Sequence, residues 1–243
     1  MSVYVQTQVA AAVDTLQISG FANRVEIDAA AEEKDVSTYG SGQWRTKIPG
    51  MAAGGLQIGG FQDYAVTGVD PMFPISGLGG YDTFTVGPTG GVTAGDPCFI
   101  GSGLLVDYQP LAGAVGEPAT FGFGWAGTGR LVRGSYLHPV AARTTSSSGT
   151  AVAFTAPTAT QALYASFHVH SVTGAGTVTL TVQSDDNAGM TTPTTRITST
   201  AFAAVGHELK SLAGALTGET HLRVTWTISG FTSVTFTVAA GVA

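Results

Sequence analysis

The stretch TVTLTV, residues 177–182, decides the fold class because every second residue in it is apolar. Successive side chains of a β-strand point to opposite faces, so this alternation places valine and leucine in a core and threonine in water. The stretch VTWTI, residues 224–228, repeats the pattern. Both stretches are typical of half-buried antiparallel strands.

The composition extends this prediction to the whole chain of 243 residues. Glycine contributes 34 residues and only 11% of the chain is charged, which disfavours long helices and favours short strands joined by tight turns. We therefore predict an all-β protein, large enough for one large domain or two small ones.

The charge balance argues against a surface that grips nucleic acid. The formal net charge is −6, and the ten basic residues are scattered, whereas DNA binding needs clustered Lys and Arg.

The single cysteine, Cys98, excludes an intrachain disulfide and is interpreted as a small buried hydrophobe. The first residues, MSVYVQTQVAAAVD, lack signal-peptide features, and no window has the apolar length of a membrane span, so we expect cytoplasmic synthesis and no membrane partner.

The chain divides into two parts with different patterns. Residues 1–147 are irregular and carry 12 acidic and 7 basic residues, hence −5 of the net −6, and their Gly- and Pro-rich passage at 69–91 is predicted to form long loops. The run RTTSSSGTA, residues 143–151, is predicted to be a flexible linker. Residues 148–243 alternate regularly and predict a compact antiparallel β-sandwich, with TGAG and SGFTS as short hairpin connections.

The predicted strands are VYVQTQV, LQISGF, RVEID, GLQIGGFQDYAV, PCFIGSGLLVDYQPL, ATFGFGWAG, GRLVRGSYL, LYASFHVHSV, TVTLTVQS, THLRVTWTISG and SVTFTVAA.

Few residues suggest chemistry. His168 and His170 share one face of a strand and are two apart, a spacing that allows metal chelation, but polar residues opposite Phe167 and Val169 are the preferred interpretation. The run Ser184–Asn187 lacks the spacing of a calcium loop and is predicted to be a turn. Without a nucleophile, zinc or phosphate-binding motif, we predict no enzyme activity, no metal and no cofactor.

One segment stands apart by its charge. Nine of the 26 charged residues fall between Arg24 and Lys47, and the stretch AAAEEKDVSTYGSGQWRTKIPG, residues 29–50, holds most of them. Mixed charges fix the register between partners, and a tryptophan is a frequent interface anchor. We predict a loop that orders on contact with an identical subunit, against the alternative of an ordinary solvated loop. The predicted contact residues are Glu32, Glu33, Lys34, Asp35, Trp44, Arg45 and Lys47.

The order of these features resembles the tail-tube (major tail) proteins of long-tailed bacteriophages. The resemblance lies in LQISGFANRVEIDAAAEEKDVSTYGSGQWRTKIPGMAAGGLQIGGFQD, with its strand pair, acidic segment and Pro-Gly, and in VGEPATFGFGWAGTGRLVRGSYL, with its aromatic strand. The later passage QALYASFHVHSVTGAGTVTLTVQSDDN through LRVTWTISG is similar to accessory β-sandwich domains of phage structural proteins.

This resemblance implies a tail-tube-like β-barrel or sandwich domain at 1–147 that forms hexameric rings stacked into a tube, and a β-sandwich at 148–243 on the tube exterior. It implies a structural virion protein of the tail, assembled in the host cytoplasm, whose partners are itself and the tape-measure, tail-tip and tail-terminator proteins. DNA would only pass through the lumen, and an acidic, lysine-poor wall lets a duplex slide without binding.

Two other interpretations stay open at this stage. A capsid or head-decoration protein is also β-rich and poor in cysteine, but it forms trimers or lattice-bound monomers. A carbohydrate-binding module on a structural scaffold is the second, with Trp226, Trp125 and several tyrosines as candidates for stacking on sugars, although Trp226 alternates with apolar neighbours and is expected to be buried.

Overall fold

The computed structural model describes residues 8–38, 44–64, 77–91 and 93–243, and within these ranges it confirms the all-β fold. No α-helix occurs in the described ranges, so they contain no helix long and apolar enough to cross a membrane. The strands are β1 (Ala10–Val13), β2 (Leu16–Gln17), β3 (Ala22–Asp35), β4 (Lys47–Phe61), β5 (Tyr81–Gly87), β6 (Pro97–Ala112), β7 (Thr120–Gly127), β8 (Val132–Arg143), β9 (Ser147–Ser148), β10 (Val152–Ala153), β11 (Ala162–Thr173), β12 (Thr177–Asp185), β13 (Thr194–Thr198), β14 (Gly206–Ala213), β15 (His221–Ser229) and β16 (Ser233–Val242).

Among the strands of the described ranges, all pairings are antiparallel, and these strands form two sheets. The larger sheet has 11 strands in the order β14-β11-β16-β8-β6-β5-β1-β2, and β6 also pairs with β7, which continues through β4 to β3. The smaller sheet has five strands in the order β10-β15-β12-β13, with β9 also paired to β15. The larger sheet therefore branches at β6.

The two sheets face each other over the C-terminal core. The inward residues of β12 and β15, such as Leu180 and Val224, pack against Phe167 of β11 and Phe236 of β16, and all four are fully buried. These are the apolar positions of the period-two stretches, so the predicted faces are confirmed. The core also contains Leu137 of β8, which precedes residue 148.

A second core lies beneath β3, β4, β7 and β6. Leu56 and Ile58 of β4 pack there with the aromatic residues of β7, and the rings of Tyr108 and Phe123 stack with centroids 4.6 Å apart. Burying large aromatic side chains supplies much of the stabilisation of such a core.

Strand β8 connects the two cores. It pairs with β6 through Cys98 and Gly134, and with β16 through Tyr136 and Ala239. A small buried cluster that includes Cys98, Tyr136 and Ala239 fills this junction. The division into residues 1–147 and 148–243 stays a prediction, and the C-terminal sandwich includes a strand from before that boundary.

Several predicted connections differ in the structure. TGAG joins β11 to β12 and SGFTS joins β15 to β16, but each pair of strands lies in different sheets, so these turns are crossings between sheets and not hairpins. The predicted linker pairs through Ser147–Ser148 with β15. Within the predicted loop at 69–91, residues 81–87 form β5, residues 69–76 lie outside the described ranges, and so do residues 3–7 of the first predicted strand.

Candidate subunit-contact site

The charge-dense segment forms most of a long two-stranded ribbon, where the sequence predicted a loop. Strand β3 pairs with β4 from Ala22 opposite Gly60 to Asp35 opposite Lys47, with a bulge next to Glu33. Pro49 lies in β4 beside this bulge, a position where a strand tolerates proline because ladder hydrogen bonds are already interrupted. The prediction of a loop was wrong because strands pair through backbone hydrogen bonds, which charged and alanine-rich residues also provide.

The ribbon has a packed half and an exposed half. In the packed half, Val25 faces Ile58 and Ile27 faces Leu56, and these residues join the second core. Residues 29–38 are all exposed, as are 44–49 and 51–53. A two-stranded ribbon with no core against either face is marginally stable in water. We call residues 29–38 and 44–53 the distal ribbon.

The predicted charged residues pair with one another inside the distal ribbon. Lys47 Nζ lies 2.6 Å from Glu33 Oε2 across the strands, Lys34 Nζ lies 2.7 Å from Glu32 Oε2 along β3, and Arg45 Nη1 lies 3.7 Å from Asp35 Oδ2. Hydrogen bonds from the Ser37 hydroxyl and amide lower the pKa of Asp35. All six charged side chains are exposed, and exposed pairs contribute little to stability. Their role in contacting another subunit stays a prediction.

The exposed apolar side chains of the distal ribbon add to this site. Trp44, which the sequence analysis singled out, is 85% exposed, and Met51 is 81% exposed. Ile48 and Val36 are also exposed. Met51 and Ile48 were not predicted, because the signal that marks this segment in the sequence is charge. The signal available in the sequence was that both apolar residues lie in a segment without a regular apolar alternation, which indicates that no core covers them.

A second surface lies on the sheet face opposite the second core. There Gly59 of β4 lies opposite Gly122 of β7, and Gln57 lies opposite Gly124, so β7 leaves its backbone little covered. The depression over these strands has a volume of about 670 Å³. The exposed charged residues that line it are Arg24, Asp28 and Asp107. Arg24 Nη2 lies 2.8 Å from Glu26 Oε2, and the hydrogen bond from Arg24 lowers the pKa of Glu26.

The two histidines of β11 fasten this strand to the turn after β1. Nδ1 of His168 lies 2.6 Å from the Asp14 carbonyl oxygen, and Nδ1 of His170 lies 2.8 Å from the Thr15 carbonyl oxygen. A carbonyl only accepts hydrogen bonds, so each Nδ1 is the donor. The two Nε2 atoms lie 2.9 Å from the Thr85 hydroxyl and 3.0 Å from the Thr237 hydroxyl. Both histidines are on the face opposite Phe167, as predicted, but that face is packed against other strands.

Burial holds these histidines neutral. Desolvation, helped by His170, lowers the pKa of His168 to about 3, and desolvation also lowers the pKa of His170. At the same junction, burial and the neighbouring Asp82 raise the pKa of Asp14 to about 8. His207 Nδ1 lies 3.1 Å from Asp14 Oδ1. The junction between β1, β5, β11 and β14 is therefore a buried polar network.

The two tryptophans proposed for sugar stacking are buried. Trp226 is 4% exposed and Trp125 is 3% exposed, and their indole N–H groups donate to the Thr145 carbonyl and the Asp82 carboxylate. Neither ring face is open to a ligand, so this route to carbohydrate binding is excluded.

The run Ser184–Asn187 leads into a turn in which Asp185 accepts hydrogen bonds from backbone amides, as predicted.

Comparisons with known proteins give weak structural likenesses. No protein-family model matches the chain, and no curated protein matches it in sequence. Among solved structures, one from the tail of an empty gene transfer agent particle, refined with C6 symmetry, has a TM-score of 0.36 at 20% identity and covers 46% of this chain and 80% of its own.

A chain from the virion of a native gene transfer agent particle has a TM-score of 0.39 at 15% identity and covers 53% of this chain and 97% of its own. The Dit protein of phage SPP1, described as a hub of the adsorption apparatus, has a TM-score of 0.34 at 8% identity and covers 97% of this chain and 99% of its own. These structural neighbours are components of phage or gene transfer agent particles, and each TM-score is below 0.5.

Proposed function

We propose that this protein is a structural subunit of a phage tail that assembles with copies of itself into stacked rings, expected to be hexameric, around a channel for DNA. The observation that carries the proposal is the distal ribbon. It extends beyond the second core with both faces exposed and carries Trp44, Ile48 and Met51 on its surface.

Contact with another subunit gives the distal ribbon what it lacks. Fully burying a large apolar side chain contributes about 1.5–3 kcal/mol, so covering Trp44 and Met51 supplies a gain that the single chain does not have. Strand β3 pairs only with β4 among the described strands, which leaves 14 residues of backbone edge for a neighbour. A contact between an arm on one copy and a different surface on the next is head-to-tail, and it closes into rings or continues as a filament.

The glycine-lined depression is proposed as the face toward the channel. Asp28 and Asp107 against Arg24 give its charged lining a net charge of −1. Without clustered cations it does not release counterions from DNA, so a duplex passes without specific binding. In this proposal the tape-measure, tail-tip and tail-terminator proteins meet the tube at its lumen and ends, and the protein is located in the virion tail.

Negative-stain electron microscopy over a protein concentration series, combined with sedimentation velocity, tests the proposal. We expect hollow tubes or six-fold rings for the wild type and their loss in the double variant Trp44→Ser, Met51→Ser. The matched control is Val115→Ser, Leu111→Ser, which removes two apolar side chains that are 108% and 64% exposed outside the ribbon. The control is expected to assemble like the wild type.

The outcomes separate the parts of the proposal. Tubes that persist in the Trp44, Met51 double variant contradict the role of the distal ribbon. Trimers of the wild type contradict the tail-tube assembly and favour a capsid or head-decoration protein.

A further inference from the structure

A pocket at one end of the C-terminal sandwich has features that the proposed assembly does not use. It is open, with a volume of about 410 Å³, and lies between β8, the segment 145–150 and the loop before β6. Volumes of this order are typical of small-molecule sites. Its polar lining residues carry hydroxyl groups, an imidazole and one guanidinium: Thr93, Thr145, Ser147, Ser148, Thr150, His138 and Arg143.

The guanidinium of Arg143 is held in a fixed orientation. Its Cζ lies 5.1 Å from the centre of the Trp226 ring, and its Nε donates to His138 Nε2 over 2.9 Å. His138 is buried and its Nδ1 lies 3.3 Å from the Phe236 carbonyl oxygen, which makes Nδ1 the donor and leaves Nε2 as the acceptor. His138 also stacks on Phe236 at 4.2 Å. Two contacts, with Trp226 and with the positioned His138, thus orient the Arg143 side chain.

This orientation leaves the terminal nitrogens of Arg143 for a ligand. Within residues 8–38, 44–64, 77–91 and 93–243, six of the ten basic residues pair with a carboxylate, whereas no carboxylate oxygen lies within 4.0 Å of the Arg143 guanidinium. Asp96, near the pocket wall, accepts a hydrogen bond from the Thr93 amide. Two parallel N–H groups of a planar guanidinium match the two oxygens of a carboxylate.

The opposite wall is also held in place. Ser147 and Ser148 pair with β15, and the Gly149 amide donates to the Val224 carbonyl over 2.8 Å. Hydroxyl groups donate and accept hydrogen bonds, which suits a ligand that itself carries several hydroxyls. The pocket therefore combines one oriented guanidinium with several residues that carry hydroxyl groups.

We propose that this pocket binds an acidic sugar, with its carboxylate on Arg143 and its hydroxyls on the 145–150 segment. A nucleic acid needs several cations along its backbone, and the pocket offers one. A neutral sugar depends on an open aromatic face, and the Trp226 face is covered. The inference does not depend on ring assembly.

A titration of the full chain with three probes tests the proposal. The probes are glucuronate, glucose and acetate, which carry the carboxylate and hydroxyls together, the hydroxyls alone and the carboxylate alone. The reporter is the ¹⁵N-labelled indole N–H of Trp226, which donates to the Thr145 carbonyl at 2.8 Å beside the pocket. Trp125 lies in the second core, so its indole signal is an internal control.

We expect glucuronate to shift the Trp226 signal saturably, and glucose and acetate to bind at least about tenfold more weakly. Arg143→Gln is expected to weaken glucuronate binding by about tenfold or more, and Arg143→Lys to restore only part of it. Arg130→Gln, an exposed arginine outside the pocket, is the matched control and is expected to bind like the wild type.

Three results overturn the proposal. They are the lack of a saturable shift with glucuronate, equal binding of acetate and glucuronate, and unchanged glucuronate binding in Arg143→Gln. Equal binding of acetate would identify a site for a bare carboxylate, such as that of a protein side chain, with no part for the hydroxyl wall.

Discussion

Replacing His168 by alanine tests whether the junction between β1, β5 and β11 is held by a neutral histidine. The change removes a fully buried ring and leaves the Asp14 carbonyl and the Thr85 hydroxyl without this partner. A buried polar group that loses its partner costs about 1–3 kcal/mol. Taking about 1.5 kcal/mol for each of the two groups gives about 3 kcal/mol at pH 7.5, before any cavity cost.

The penalty is expected to shrink as the pH falls. The folded pKa of His168, about 3, is below its usual value of 6.5, so the stabilisation is complete above pH 6.5 and is lost as the pH falls toward 3. Through His168 itself, each pH unit in this window removes about 1.4 kcal/mol from the wild type, and His168→Ala lacks this loss. At pH 5 the difference between the two proteins should therefore be about 1 kcal/mol.

Urea unfolding at pH 7.5 and pH 5 measures both values, as a change in midpoint at constant slope. The control is His221→Ala, because this half-buried histidine contacts the neighbouring Thr220 hydroxyl. We expect the control to cost less than about 1 kcal/mol at both pH values. A penalty for His168→Ala that is the same at pH 7.5 and pH 5 would refute the assignment of a neutral, buried histidine.

Three further predictions concern other buried groups. Asp14→Asn should melt at a higher temperature than the wild type at pH 9 and at nearly the same temperature at pH 5. The folded pKa of Asp14, about 8, is raised above its usual 3.8, so its stabilising effect is complete below pH 3.8 and is lost as the pH rises through 8. Melting followed by circular dichroism over a pH series checks this, and a difference in melting temperature that does not depend on pH would contradict it. Gly134→Ala should reduce the free energy of unfolding by more than about 2 kcal/mol, because the new Cβ would overlap the Ala240 carbonyl oxygen. Gly214→Ala is the comparison variant: no atom lies near its new Cβ, so it measures only the cost of alanine at a positive φ. Cys98 should react with a thiol reagent only after unfolding, because burial raises the pKa of its thiol; rapid reaction of the folded protein would refute the buried position.

The sequence predicted individual strands better than their partners. The alternation in TVTLTV correctly placed one face of β12 in the core. The same alternation is expected whether β11 and β12 pair as a hairpin or face each other across a core, so the pattern does not distinguish a hairpin turn from a crossing between sheets. The structure has the crossing.

The surroundings of a residue were the other unpredictable part. Alternation placed His168 opposite Phe167, but whether that face meets water depends on Asp14, which lies 154 residues earlier in the chain. The pairing of Arg143 with His138 and Trp226 depends on the same kind of distant contact. For the distal ribbon, charge density singled out the segment but did not reveal its strands, because no core lies under them to impose an apolar alternation.

Strand β8 has a consequence for how this chain can be divided and recombined. Because β8 pairs with β16 and contributes Leu137 to the C-terminal core, residues 148–243 transferred alone to another protein would leave a row of β16 backbone groups open. A unit that keeps β8 with β16 begins no later than Val132, and it still separates β8 from β6 and the histidines of β11 from the turn after β1. A gene fusion made at the Ser- and Thr-rich run would in addition expose the unpaired edge of β16 to other strands.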